Sequence, residues 1–375
     1  MDKNRFLLYS TVFLIMGLSN AVIPVLPEIA AGNHGTYGAF ASSLLFSGYF
    51  IGALLTMLPF GFFSDRYDRL KFVVLAILLT LISGLTLLLS ENLYILVIAR
   101  LVEGTACGAF FPVAYALLSE YEQRNRYIGE FNFLLNAGLA LGVALAGYLA
   151  TWYIKSGVLL FTVMAGILFT AGIFFLAGRS KPEKVRVGNP ASRPDLRSIA
   201  GNFTNTKYLR IWIIAFLLFG LTGVIIAFYP DYSQDFLSKT ALGFSIAALY
   251  VSAMVSNILV GRMDLKYNTM IRAGAVIAVI GTLVAIHHPI AGFTLIGIGS
   301  GTGMIGLPVA VSHMNIERGL AMGIFNTYTY AGLGLMPVLT GIFLGVLGFE
   351  TIFIASAALL FLSLFLKNGL KSRVN

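Results

Sequence analysis

Charge is the scarcest thing in this sequence. Only 11% of its 375 residues are Asp, Glu, Lys or Arg, against roughly 25% in soluble domains. That excludes a water-soluble globular fold, and a mean hydropathy of +0.87 agrees. Cysteine is nearly absent, and Cys107 alone excludes an intramolecular disulfide. No Gly-x-x-x-x-Gly-Lys-Ser/Thr segment occurs, so direct ATP drive is set aside. His287, His288 and His313 have no carboxylate at metal-ligand spacing, and no metal or cofactor is expected. Strict apolar–polar alternation is missing, which excludes a β-barrel. The first apolar run, from Phe6, lacks a small-residue cleavage pattern and is read as a span rather than a removed leader. No convergent nucleophile–base set is visible, so an enzyme is not expected.

What is present is a succession of long apolar runs, each able to cross a bilayer core as a helix. Twelve are read, at about 5–27, 37–60, 72–90, 92–118, 130–153, 157–178, 208–230, 240–262, 271–287, 289–315, 319–346 and 349–367, each near the ~20 residues that a span needs. The longest polar connection, 179–210, carries Pro182, Pro190, Pro194 and eight basic residues. It divides the chain into bundles at 1–178 and 211–375, six spans each. With a cytoplasmic N-terminus, all but Lys155, Lys239 and Arg100 of the 25 basic residues fall on the inner side. The positive-inside rule therefore places both termini and the linker in the cytoplasm of a multi-pass protein of the cell membrane. Orientation also accounts for the net charge of +9 without invoking nucleic acid.

The two halves repeat. Phe13 to Ser19 and Pro27-Glu28 match Phe216 to Thr222 and Pro230-Asp231 at an offset of 203. Pro112-Val-Ala matches Pro308-Val-Ala, and Gly129-Glu-Phe-Asn132 matches Gly323-Ile-Phe-Asn326. Parallel six-helix halves are a transporter arrangement.

Between spans 2 and 3 lies Gly61-Phe-Phe-Ser-Asp65-Arg66-Tyr-Asp68-Arg69-Leu-Lys71. This stretch resembles the loop 2–3 signature of the major facilitator superfamily, Gly-x-x-x-Asp-Arg-x-Gly-Arg-(Arg/Lys). Asp68 replaces the usual Gly, and the final basic residue is displaced to Lys71. The resemblance covers the whole chain and implies an all-α membrane protein of twelve transmembrane helices in two pseudo-symmetric six-helix bundles. Gly61 permits close helix approach, and Asp65 can sit against the positive end of a helix dipole. Arg66 and Arg69 can reach acidic groups across the half-interface, with Glu317 and Asp264 as candidates. These contacts would latch the cytoplasmic side. Gly261 to Lys266 is a shorter counterpart in the second half.

Span 4 carries Arg100 and Glu103 at i and i+3, on one helix face. The family has an Arg here, followed by Gly four residues on, which Gly104 matches; the resemblance links it to proton coupling. The alternative is that both charges snorkel to the outer interface, because charge inside a span is costly. In span 5, Gly129, Gly138, Gly142 and Gly147 fit the family's antiporter glycine pattern; span 11 repeats it with Gly323, Gly332, Pro337 and Gly341. By resemblance this favours export in exchange for protons; the alternative is ordinary tight packing. Polar residues read as cavity lining or interhelical hydrogen bonds are Asn20, Tyr115, Asn132, Asn136, Thr222, Asn257, Asn326, Tyr328 and Tyr330. Glu28 and Asp231 sit at matching outer helix ends; they could accept protons at the extracellular mouth, and are read first as solvated helix ends.

The expected function is alternating-access transport of a small apolar or amphipathic molecule, coupled to protons and directed outward, by a monomer in the lipid bilayer. The same-class alternative is an uptake symporter or uniporter for a sugar-like or other small metabolite. From another class, the alternative is a non-transporting membrane sensor.

Overall fold

In the computed structural model the chain is helical, with no strand among the described residues, which are 3–31, 38–64, 67–178, 208–263, 265–314 and 318–366. The linker at 179–207 lies outside them. The helices are α1 (Lys3–Ala21), which passes through a 3-10 turn at Ile23–Val25 into α2 (Leu26–Ala31), then α3 (Gly38–Ser64), α4 (Arg69–Leu89), α5 (Leu93–Ser119), α6 (Arg124–Leu149) and α7 (Ser156–Ala177). The second half supplies α8 (Leu209–Tyr232), α9 (Lys239–Gly261), α10 (Tyr267–Ala285), α11 (Pro289–Ser312), α12 (Arg318–Gly341) and α13 (Leu344–Ser363). Taken with α1 and α2 as one span, these are the twelve expected helices.

Eleven of the spans are long and apolar enough to cross a membrane among the described residues. The twelfth helix, α12, is of similar length but is interrupted by the polar run Asn326 to Tyr330. Large apolar side chains stand exposed on many helices, including Leu55, Leu89, Ile167, Phe174, Leu259 and Leu362. In water such a surface would drive association; against lipid it is the matching face.

Two compact units appear. The first contains Met1–Val187 with Ile226–Tyr250, so it includes the end of α8 and the first half of α9. The second contains Gly188–Ile225 with Val251–Asn375, and its core gathers Trp212, Leu218, Ala275, Leu307, Phe325 and Leu360.

The repeat is visible as matching contacts inside each unit. A Cβ on Gly138 of α6 would fall 2.7 Å from the Phe13 carbonyl of α1, and one on Gly332 of α12 would overlap the Phe216 carbonyl of α8. Gly142 packs on Gly17, and its counterpart Met336 packs on Gly220. One helix break has a clear cause: Gly348, at φ 74° and ψ 167°, interrupts α13 in a backbone region open mainly to glycine.

Candidate functional site

The first unit's polar centre is built on α5. Asn92 caps its N-terminus, accepting from the Tyr94 N–H at 2.9 Å and the Ile95 N–H at 3.4 Å. Small residues then draw α3 against it. A Cβ on Gly104 would overlap the Tyr49 carbonyl, and one on Gly52 the Leu101 carbonyl. This close approach brings the α3 backbone within reach of Arg100. Its Nε donates to the Leu45 carbonyl at 3.0 Å and Nη2 to the Ser19 carbonyl at 3.3 Å, while Nη1 lies 2.5 Å from Glu103 Oε2. Ser83 of α4 donates to the same carboxylate oxygen at 3.3 Å. The guanidinium also lies over the Tyr49 ring, 5.3 Å from its centroid.

Arg100 is 1% and Glu103 0% exposed. A snorkelling side chain keeps its charged head in water; these heads are enclosed by helices, so the interfacial reading does not fit. The pair is neutral as a whole. Glu103 Oε1 is buried with no hydrogen-bond partner in the structure, leaving one oxygen available to a proton.

The polar residues separate into groups. Asn20 spans to α6, donating to the Leu139 carbonyl at 2.9 Å. Thr222 bonds its own helix at Leu218, as Asn136 does at the Asn132 carbonyl. Tyr115 donates to Asn132 Oδ1 at 2.8 Å, tying α5 to α6. Tyr328 stacks on buried Trp212 with centroids 5.7 Å apart and planes 2° from parallel. Asn257 has a buried Oδ1 with no partner in the structure, Asn326 is exposed and Tyr330 is half-buried.

The glycine patterns also divide. Gly138, Gly142 and Gly332 sit in backbone contacts, and Gly147 of α6 abuts Lys239 and Gly243 of α9. A Cβ on Gly129 or Gly323 would meet nothing within 4 Å. Gly341 is buried at the end of α12, which contains Pro337.

At the loop 2–3 stretch, Asp65 and Arg66 lie outside the described residues, as do Glu317 and Asp264. Arg69 forms an ion pair with Glu120, the residue that caps the C-terminus of α5, within the first unit. A Cβ on Gly61 would stand 3.9 Å from that of Pro112, an ordinary contact, so the close approach expected there does not require glycine. Asp68 caps α4, its Oδ1 accepting from the Leu70 N–H at 3.1 Å.

Three features were not foreseen. Lys155 donates to the Leu87, Leu88 and Ser90 carbonyls at 2.8, 3.3 and 3.4 Å, closing the C-terminus of α4. Burial holds its ammonium below the usual lysine range. The Tyr9 hydroxyl lies 2.9 Å from Glu130 Oε2, and Arg126 Nε donates to Glu130 Oε1 at 2.9 Å. An open recess of about 500 Å³ is lined there by Tyr9, Gly129, Glu130, Phe133 and Leu134. The repeat held a signal for it, since Glu130 faces Ile324 in the matched segments. Thirdly, Glu28 and Asp231 are partly enclosed rather than fully solvated helix ends. Glu28 pairs with Lys239, and Asp231 is half-buried with an enclosed Oδ2.

Membrane-length helices, matched helix contacts in the two units and a buried ion pair inside one span define a multi-pass helical membrane protein. The chain belongs to the Major Facilitator Superfamily, whose family model matches residues 8–314 and again 211–369. Multidrug resistance protein 2 of Bacillus subtilis is 21% identical over 357 residues, covering 90% of this chain and 87% of the relative. Quinolone resistance protein NorA of Staphylococcus aureus is 25% identical over 154 residues, covering 40% and 39%. A solved mutant of the nucleoside transporter NupG superposes with a TM-score of 0.78 at 12% identity, covering 96% of this chain and 98% of that one; this likeness concerns the fold alone.

Proposed function

We propose that the chain is a secondary active exporter that exchanges a small apolar or amphipathic molecule for protons by alternating access. The observation that carries the reading is the enclosed Arg100–Glu103 pair with an unpartnered Glu103 Oε1. A proton arriving there neutralises the carboxylate and leaves Arg100 without its counter-charge, so protonation shifts the balance of the helices that hold the pair. A buried ion whose partner is removed is expensive, which gives the proton leverage over conformation. Relatives named for multidrug and quinolone resistance support export. The cavity candidates, among them Asn132, Asn326, Tyr115 and Tyr328, are amides and aromatics without fixed charge, which supports an apolar or amphipathic rather than a highly charged cargo.

In this reading the halves are 1–178 and 211–375, joined by a cytoplasmic linker at 179–210, with both termini cytoplasmic. Gly61, Asp65, Arg66 and Arg69 act as the cytoplasmic latch, and the glycine faces of α6 and α12 let helices slide at close contact. The protein acts as a monomer. A second reading, uptake or facilitated diffusion of a polar metabolite, is favoured by the amides of Asn132 and Asn326, which are exposed. Purified protein in liposomes under an imposed pH gradient tests both. Uphill substrate movement against the proton flow is expected, whereas flux indifferent to the gradient would sink proton coupling and favour the second reading.

A further inference from the structure

The end of the first unit expected to face outward contains a second charged cluster, drawn from four elements. Glu28 comes from α2, Asp231 from the end of α8, Lys239 from the first residue of α9, and Ser42 from α3. Lys239 Nζ stands 2.6 Å from Glu28 Oε1, a charge contact rather than an aligned hydrogen bond. Glu28 Oε2 and Asp231 Oδ2 are enclosed without partners in the structure. Ser42, 0% exposed, lies against the Asp231 carboxylate, yet its hydroxyl falls outside hydrogen-bonding geometry. Ser233, 1% exposed, also has an unpartnered hydroxyl, two residues past Asp231.

The charge count is uneven. Two carboxylates face one ammonium, and Ser42 brings no charge, so the cluster holds one uncompensated negative charge. Lys239 is held in place by packing: a Cβ on Gly243, one turn on, would meet the Val143 carbonyl at 2.7 Å and the Gly147 Cα at 3.1 Å. An ammonium at a helix N-terminus opposes the local dipole, which strengthens its demand for a carboxylate.

We infer that Glu28, Asp231 and Lys239 form a single-proton site that governs the contact between the 226–250 segment and the rest of the first unit. With a proton on Asp231, Lys239 belongs to Glu28 alone and the contact is closed. Without it, two carboxylates compete for one ammonium and repel each other at a partly buried site, and the contact loosens. The adjacent ammonium disfavours a metal cation as the occupant. The site is distinct from Arg100–Glu103 and requires neither a known cargo nor a known direction.

The test uses the full chain in lipid nanodiscs with Cys107 replaced by Ser and nitroxides at Thr151→Cys and Gln234→Cys, exposed positions near the cluster. Distances are read by double electron–electron resonance. As pH falls from about 8.5 to about 5.5, the short-distance population should grow, by at most about tenfold per pH unit for one linked proton. Asp231→Asn should hold the short distance at every pH, and Glu28→Gln, which balances the charge, should flatten the response too. Glu130→Gln, at a carboxylate that bonds Tyr9 and Arg126 outside the cluster, should leave the response intact, which separates this site from a general effect of pH. A wild-type distance indifferent to pH, a wild-type response retained in either cluster variant, or a response that follows sodium at fixed pH would overturn the inference.

Discussion

Arg100 and Glu103 lie one turn apart on α5, with Nη1 2.5 Å from Oε2 and both side chains withdrawn from the surface. Proximity on the helix brings them together, but α3 makes the pair possible. Its backbone, admitted by the glycines of both helices, supplies the Leu45 carbonyl that fixes the guanidinium.

Each partner alone should be destabilising. Glu103→Gln leaves Arg100 charged and unpaired, at a cost of about 3–5 kcal/mol for breaking a buried pair, and Arg100→Met should cost less, because the enclosed Glu103 carboxyl can take up a proton. The double variant Arg100→Met/Glu103→Met should recover much of that loss, because it buries no charge. Thermal unfolding followed with a thiol-reactive dye measures this directly, since Cys107 is buried until the helices part. A double variant as unstable as either single one would count against pairing as the source of the cost.

In transport, Glu103→Gln should abolish uphill movement driven by a pH gradient while sparing exchange down a substrate gradient. Retention of full uphill transport removes Glu103 from the coupling step.

The spans, the repeat and the loop 2–3 stretch were legible in the sequence because each rests on local pattern: apolar length, matched order, or charge between apolar runs. Even the matched contacts Gly138 with Phe13 and Gly332 with Phe216 follow from the offsets. The pairing of Lys239 with Glu28 was not legible, because the partners are far apart in the chain and each looked like an ordinary helix end. The pairing of Arg69 with Glu120 in the next polar loop has no local signal either, while its candidates in the other half, Glu317 and Asp264, lie outside the described residues. Span 11 was read as an apolar run, yet the polar residues Asn326 to Tyr330 make α12 the least lipid-like of the long helices.

Asp68 departs from the family's glycine, and the cap explains why both residues fit. Asp and Gly are each accepted at a helix N-cap, while Ala is not. Asp68→Ala should therefore cost about 1 kcal/mol and Asp68→Gly only a few tenths. Equal unfolding temperatures for wild type and Asp68→Ala would show that the Leu70 N–H bond contributes nothing.

Lys155 escapes the positive-inside pattern because it serves the end of α4. Lys155→Met should lower stability by about 1 kcal/mol, the range for losing the hydrogen bonds that Nζ donates to the end of α4. Burial lowers the lysine's folded pKa, so the unfolded chain binds more protons between the folded and unfolded values, and stability contributed by this group rises with pH through that window. The alkaline limb of an unfolding-temperature profile should thus climb more in wild type than in Lys155→Met.

The glycines of α6 should respond in opposite directions, which separates those required by contact from those that merely match a pattern. Gly129 is exposed and a methyl group there meets nothing. Gly129→Ala should stabilise the helix by about 0.5–1 kcal/mol, because glycine gives up more backbone freedom than alanine. At Gly142 the added carbon would lie 2.9 Å from the Gly17 Cα and 3.0 Å from its carbonyl carbon. These are backbone atoms that cannot rotate aside, so α1 must move. Gly142→Ala should therefore cost about 1–3 kcal/mol, as overpacking does, and should slow transport if α1 and α6 move against each other during the cycle. Unfolding temperatures of the two variants in one detergent give the sign of each effect. A stabilised Gly142→Ala would mean that the two helices separate readily, and the close glycine contact would lose its role in holding them.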